Sequence, residues 1–66
     1  MKDYSNAELA NLIDLYIHSE RDRKILKRRL IDGIKYDDLA EEFNYTPRHI
    51  KRIVYKAENQ LFKHLE

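Results

Sequence analysis

The chain has 66 residues with one Gly, one Pro and no Cys, and its 13 Lys+Arg stand against 12 Asp+Glu for a net charge of +1. That length holds one small domain. The missing cysteines exclude a disulfide framework, a thiolate metal site and a thiol nucleophile, no apolar run nears the roughly 18 residues of a membrane span, and a single Gly and Pro cannot supply the turns of a β fold. The acidic start resembles no secretory signal or transit peptide, and 42% hydrophobic residues are too many for a disordered tail. An all-α domain, soluble, cytoplasmic and without membrane contact, is the expectation.

Ser5 and Glu8 have the spacing of a capping box. Leu9, Leu12, Ile13, Tyr16 and Ile17 then recur at helical spacing, which predicts a first helix over about 6–18. Ser19 caps a second, from about Glu20 to Asp32, with Ile25, Leu26, Leu30 and Ile31 on its apolar face. Glu20 and Asp22 open that helix and the cations follow, in keeping with the helix dipole. Gly33 stands where a helix ends in the left-handed conformation. A short third helix, about Tyr36 to Phe43, turns Leu39, Ala40 and Phe43 inward. Asn44 makes the next left-handed turn, with Tyr45 packed beneath it. Thr46-Pro47 is a cap followed by a proline whose missing N–H has no helical partner to lose. The fourth helix runs from Pro47 to about His64, striped by Ile50, Ile53, Val54, Ala57 and Leu61, with Leu65 a further candidate. Tyr4 and Tyr36 read as core-edge residues. Leu65 and Glu66 have the look of a vector-derived end and carry no functional weight.

A short helix, a tight turn and a capped second helix make the signature of a helix-turn-helix. Small Ala40 lets the two helices cross closely. With Ile50 and Ile53 inward, the outward face of the last helix holds Arg48, His49, Lys51, Arg52, Tyr55, Lys56 and Asn59. Arg48, Lys51, Arg52 and Tyr55 are the candidates for base edges and adjacent phosphates. Thr46, His49, Lys56 and the patch Lys27, Arg28 and Arg29 are the candidates for phosphate alone.

The run E-R-D-R-K-I-L-K-R-R-L-I-D-G-I-K-Y-D-D-L-A-E-E-F-N-Y-T-P-R-H-I-K-R-I, Glu20 to Ile53, resembles region four of bacterial sigma factors. The resemblance continues to Leu61 and spans about two thirds of the chain. The LuxR-type response-regulator domain shares much of the pattern, but there a break follows the recognition helix, whereas Ile50 to Leu61 reads here as one helix. The resemblance implies promoter binding through the major groove and docking on RNA polymerase, with Arg48, Lys51 and Arg52 at positions facing bases or phosphates and His49 and Lys56 at flanking phosphate positions. Asn44 in place of the frequent Gly and Tyr45 in place of an aliphatic residue depart from the pattern. No region two is present, so nothing here resembles the part that melts a promoter.

The expected function is therefore sequence-specific binding of double-stranded DNA in bacterial or phage transcription, as a monomer or a homodimer, with no cofactor and no enzymatic activity. Two rivals stand beside it: a module that contacts RNA polymerase or an activator without DNA, and a small terminase-like DNA-recognition subunit of a phage. His18, His49 and His64 are too scattered for a metal site and read as surface residues. Asp37, Asp38, Glu41 and Glu42 lack any nucleophile beside them and read as a solvated face open to a basic protein. The net charge conceals an asymmetry. Residues 1–22 hold two cations against five acids, residues 23–66 eleven against seven, and 46–64 five against one.

Overall fold

The computed structural model describes residues 4–65. It is all-α, with four helices in chain order: α1 Asn6–Tyr16, α2 Glu20–Leu30, α3 Tyr36–Phe43 and α4 Pro47–Leu65. Three of the four helix starts, those of α1, α2 and α4, carry a side-chain cap, whereas Lys35 before α3 makes none. At α1 the Glu8 amide donates to Ser5 Oγ and the Ser5 amide donates to Glu8 Oε1, both at 3.1 Å. That backbone hydrogen bond, helped by the hydroxyl, holds the Glu8 carboxyl below its ordinary range. Ser19 Oγ accepts from the Asp22 amide at 3.3 Å and Thr46 Oγ1 from the His49 amide at 3.1 Å.

The ends depart slightly from the periodicity. α1 stops at Tyr16 rather than 18. Ile17 turns extended, and Arg23 Nη1 donates to the carbonyls of Ile17 and His18, each at 2.9 Å. The guanidinium takes carbonyls that a longer helix would have used and frees Ser19 to cap α2. α2 stops at Leu30 rather than Asp32, because the Asp32 amide slips back to the Lys27 carbonyl that Ile31 already uses and Gly33 reverses the chain at φ +69°. α3 ends in a Schellman motif: Asn44 sits at φ 62°, its amide reaching back to Glu41, while the Tyr45 amide reaches the Ala40 carbonyl at 2.8 Å. α4 runs one residue past His64 because nothing breaks it. Leu65 packs against the core, so it has a structural place whatever its origin; Glu66 lies outside the described residues.

α4 packs against all three other helices. At about 1.5 Å per residue its 19 residues span about 28 Å, which accounts for the 31 Å long dimension of the molecule. The core comprises Ile13, Ile17, Ile25, Leu26, Leu39, Ala40, Ile50, Ile53, Val54, Ala57 and Leu61, and no polar or charged residue is buried among the described residues. Ile34 and Phe62, which the helical stripes did not include, pack against its edge.

Ion pairs fasten α2 to its neighbours. Arg28 grips Glu42 of α3 with two hydrogen bonds, Nη2 to Oε1 at 2.7 Å and Nε to Oε2 at 3.0 Å, and holds Asp32 at 2.9 Å. This grip holds the Glu42 carboxyl below its ordinary value of 4.5. A carboxyl whose native pKa is lowered stabilises the fold above its unfolded pKa, and that contribution is lost as pH falls through the native value. Thermal melts from pH 7 to pH 3 should show the native protein above Glu42→Gln at neutral pH. The gap should be modest for so exposed a pair, should begin to shrink near pH 4.5 and should close only below the lowered native value. A gap independent of pH would mean that the pair contributes nothing as an ion pair.

Candidate nucleic-acid interface

The cations of α2 and those of α4 are treated differently by the fold. On α2, Lys27 Nζ meets Asp14 of α1 at 2.7 Å, Arg23 lies 3.9 Å from the same carboxylate, and Lys24 pairs with Glu20 at 3.7 Å. Arg28 is held by Glu42 and Asp32. Arg29 donates Nη1 to the Ile34 carbonyl at 3.0 Å, and its guanidinium carbon lies 4.2 Å from the centre of the Tyr36 ring. Lys27, Arg28 and Arg29, read from sequence as a phosphate patch, are thus engaged in tying α2 to α1, to α3 and to the loop before α3. Their local spacing hid this, because the partners lie far along the chain.

On α4 the arrangement is reversed. Arg48, Lys51, Arg52 and Lys56 are all exposed, and among the described residues none of them forms an ion pair or a side-chain hydrogen bond. Lys51 alone has a neighbour of note, with Nζ 5.6 Å from the centre of the Tyr36 ring. Tyr55 is 55% exposed. Arg48, Arg52 and Lys56 recur every four residues and so share one row of the helix surface.

The first turn of α4 sharpens the contrast. α1, α2 and α3 each place acids in their first turn, Glu8, Glu20 with Asp22, and Asp37 with Asp38, whereas α4 places none. It carries Arg48 there instead, against the positive end of the helix dipole. The helix dipole does not favour that choice.

Thr46 is committed to its cap through Oγ1. His49 is exposed beside it, its ring 4.6 Å from that of Tyr45 and inclined at 61°. Tyr45 is half-buried, as a residue beneath the turn should be, and its hydroxyl accepts from Arg21 Nη1 at 3.4 Å. That hydrogen bond, ahead of the one to Asp22, raises the Arg21 pKa. His64 stands apart from this end, stacked on Tyr16 at 4.4 Å with the rings 7° from parallel. Among the described residues no group of three His, Asp or Glu side chains comes together as a metal site, and no helix is long and apolar enough to cross a membrane. Tyr36, at the core edge, and Arg21, on the charged face of α2, act through contacts distant in sequence that no local period reports: Tyr36 with α2 and α4, Arg21 with Tyr45 of the turn. No protein-family model, curated protein or solved structure matches the chain.

Proposed function

We propose that this domain binds double-stranded DNA as part of a transcriptional regulator, with α3, the turn 44–46 and α4 forming a helix-turn-helix and α4 entering the major groove. The observation that carries the reading is the row of exposed α4 cations that, among the described residues, have neither an ion pair nor a side-chain hydrogen bond, in a molecule whose α2 cations each have one or the other. Guanidinium and ammonium groups on such a face suit guanine O6 and N7 and the flanking phosphates. The resemblance of Glu20–Leu61 to sigma factor region four supports the same reading and adds RNA polymerase as a protein partner, in the cytoplasm of a bacterium or a phage-infected cell. Asp37, Asp38 and Glu41 are exposed on α3 without an ion-pair partner among the described residues, which suits such a protein contact.

Selection of bound duplexes from a random pool, followed by a salt titration on the selected site, tests the reading. Arg52→Ala should lose about 1–3 kcal/mol at one base position, while Lys56→Ala should weaken all sequences alike and lower the salt slope by about 1. A palindromic consensus would mark a homodimer reading two half-sites. Binding without salt dependence, or indifference to both substitutions, would remove this face from consideration. Capture of RNA polymerase without DNA by a protein that selects no duplex would favour the protein-contact role instead.

A further inference from the structure

Tyr36 opens α3 and is half-buried at the edge of the core. Two other helices converge on its ring. From α2, the Arg29 guanidinium carbon lies 4.2 Å from the ring centre, while the same side chain is anchored on the Ile34 carbonyl. From α4, Lys51 Nζ lies 5.6 Å from the ring centre, and the Tyr55 ring meets it edge-on at 6.4 Å and 81°. Lys51 and Tyr55 are both members of the outward face, one helical turn apart.

We propose that Tyr36 is a positioning residue for DNA reading: its ring fixes Lys51 and Tyr55 and so sets the base pairs that the middle of α4 selects. The proposal rests on the DNA-binding reading above. A freely rotating lysine meets phosphate as a point charge and carries little sequence preference. A lysine held against an aromatic face has its ammonium placed before DNA arrives, so less ordering remains to be done on binding. Tyr55, held edge-on to the same ring, presents the rest of its own ring outward. An ammonium donates to guanine O6 and N7, and an aromatic surface suits the thymine methyl. Residues at i and i+4 are neighbours on a helix. The pair therefore selects a guanine and a thymine in neighbouring base pairs.

Three measurements test this on the intact chain. The first is proton NMR of the free protein, where the Lys51 ε-methylene signals should be shifted upfield by the Tyr36 ring. Tyr36→Phe should keep that shift and Tyr36→Leu should lose it. The second is duplex selection with both variants. Tyr36→Phe should return the native consensus. Tyr36→Leu should keep the salt slope but relax the preference at the guanine and thymine positions by about tenfold. The third uses the native protein alone, so it stands even if Tyr36→Leu fails to fold: replacing the selected thymine by uracil, which lacks the methyl, should weaken binding several-fold. A native protein that selects duplexes but shows unshifted Lys51 signals overturns the positioning role. So does a folded Tyr36→Leu variant with unchanged preference, while indifference to uracil overturns the assignment of the thymine to Tyr55. A native protein that binds no duplex overturns the DNA reading itself, and the NMR result then still reports whether Tyr36 holds Lys51.

Discussion

Replacing Arg48, Arg52 and Lys56 together by alanine should lower affinity for the selected duplex by about a thousandfold while leaving the domain folded. The three residues lie along one row covering about 12 Å of α4. At roughly 1.4 kcal/mol each, a middling value for a cation at a groove or phosphate, their loss sums to about 4 kcal/mol. The salt slope should fall by up to about 3 if all three neutralise phosphates. A matched control separates this row from net charge. Lys24, Lys35 and Lys63 are also exposed, and their joint replacement takes the molecule from its net charge of +1 to −2, as the first triple does. The control should lose less than about tenfold, because its charges act only through the general field. Circular dichroism should show both variants folded, and the first triple should melt slightly higher, since Arg48 no longer opposes the dipole at the start of α4. That gain in stability with loss of binding is what a functional cation in an unfavourable place predicts. Equal losses in the two triples would reduce the α4 row to bulk electrostatics.

The parts of this fold that were legible in the sequence are those set by neighbours along the chain. Ser5, Ser19 and Thr46 each cap the helix they precede, Gly33 and Asn44 each take the left-handed conformation, and every fully buried side chain fell on a predicted apolar stripe. Helix ends were less legible where a distant side chain decides them, as Arg23 does at the end of α1. Least legible were the choices among charges. Lys27, Arg28 and Arg29 look as free as Arg48 and Arg52 when read locally. Their difference lies in Asp14, Glu42 and the Ile34 carbonyl, groups that only packing brings near. The same holds for Tyr36, whose contacts with Lys51 and Tyr55 exist because α3 and α4 are folded onto one another across the Asn44 turn.

Truncating Ile50 should severely weaken the fold. Ile50 is fully buried on the first turns of α4, flanked in sequence by His49 and Lys51, which face solvent. An isoleucine cut to alanine in a closed core costs about 2–5 kcal/mol, the lost transfer energy plus a cavity that neighbours fill only in part. At roughly 0.05–0.15 kcal/mol per residue, a chain of this length holds about 3–10 kcal/mol in all, so Ile50→Ala should remove much of it. Ile50→Val, one methyl smaller, should lose about 0.5–1.5 kcal/mol. Leu15→Ala serves as the reference, since Leu15 is 58% exposed and should change stability by no more than about 0.5 kcal/mol. Urea unfolding followed by helical circular dichroism gives all three on one scale. α3 shows why the loss should be global rather than local. Its eight residues are too few to hold a helix alone, so it persists by packing Leu39 and Ala40 against the core to which Ile50 belongs. A cavity there loosens α3, the turn and the start of α4 together, and with them the row of cations. If Ile50→Ala unfolds at the same urea concentration as Leu15→Ala, then α4 is not seated on α3 through this residue, and the orientation of its outward face must be redrawn.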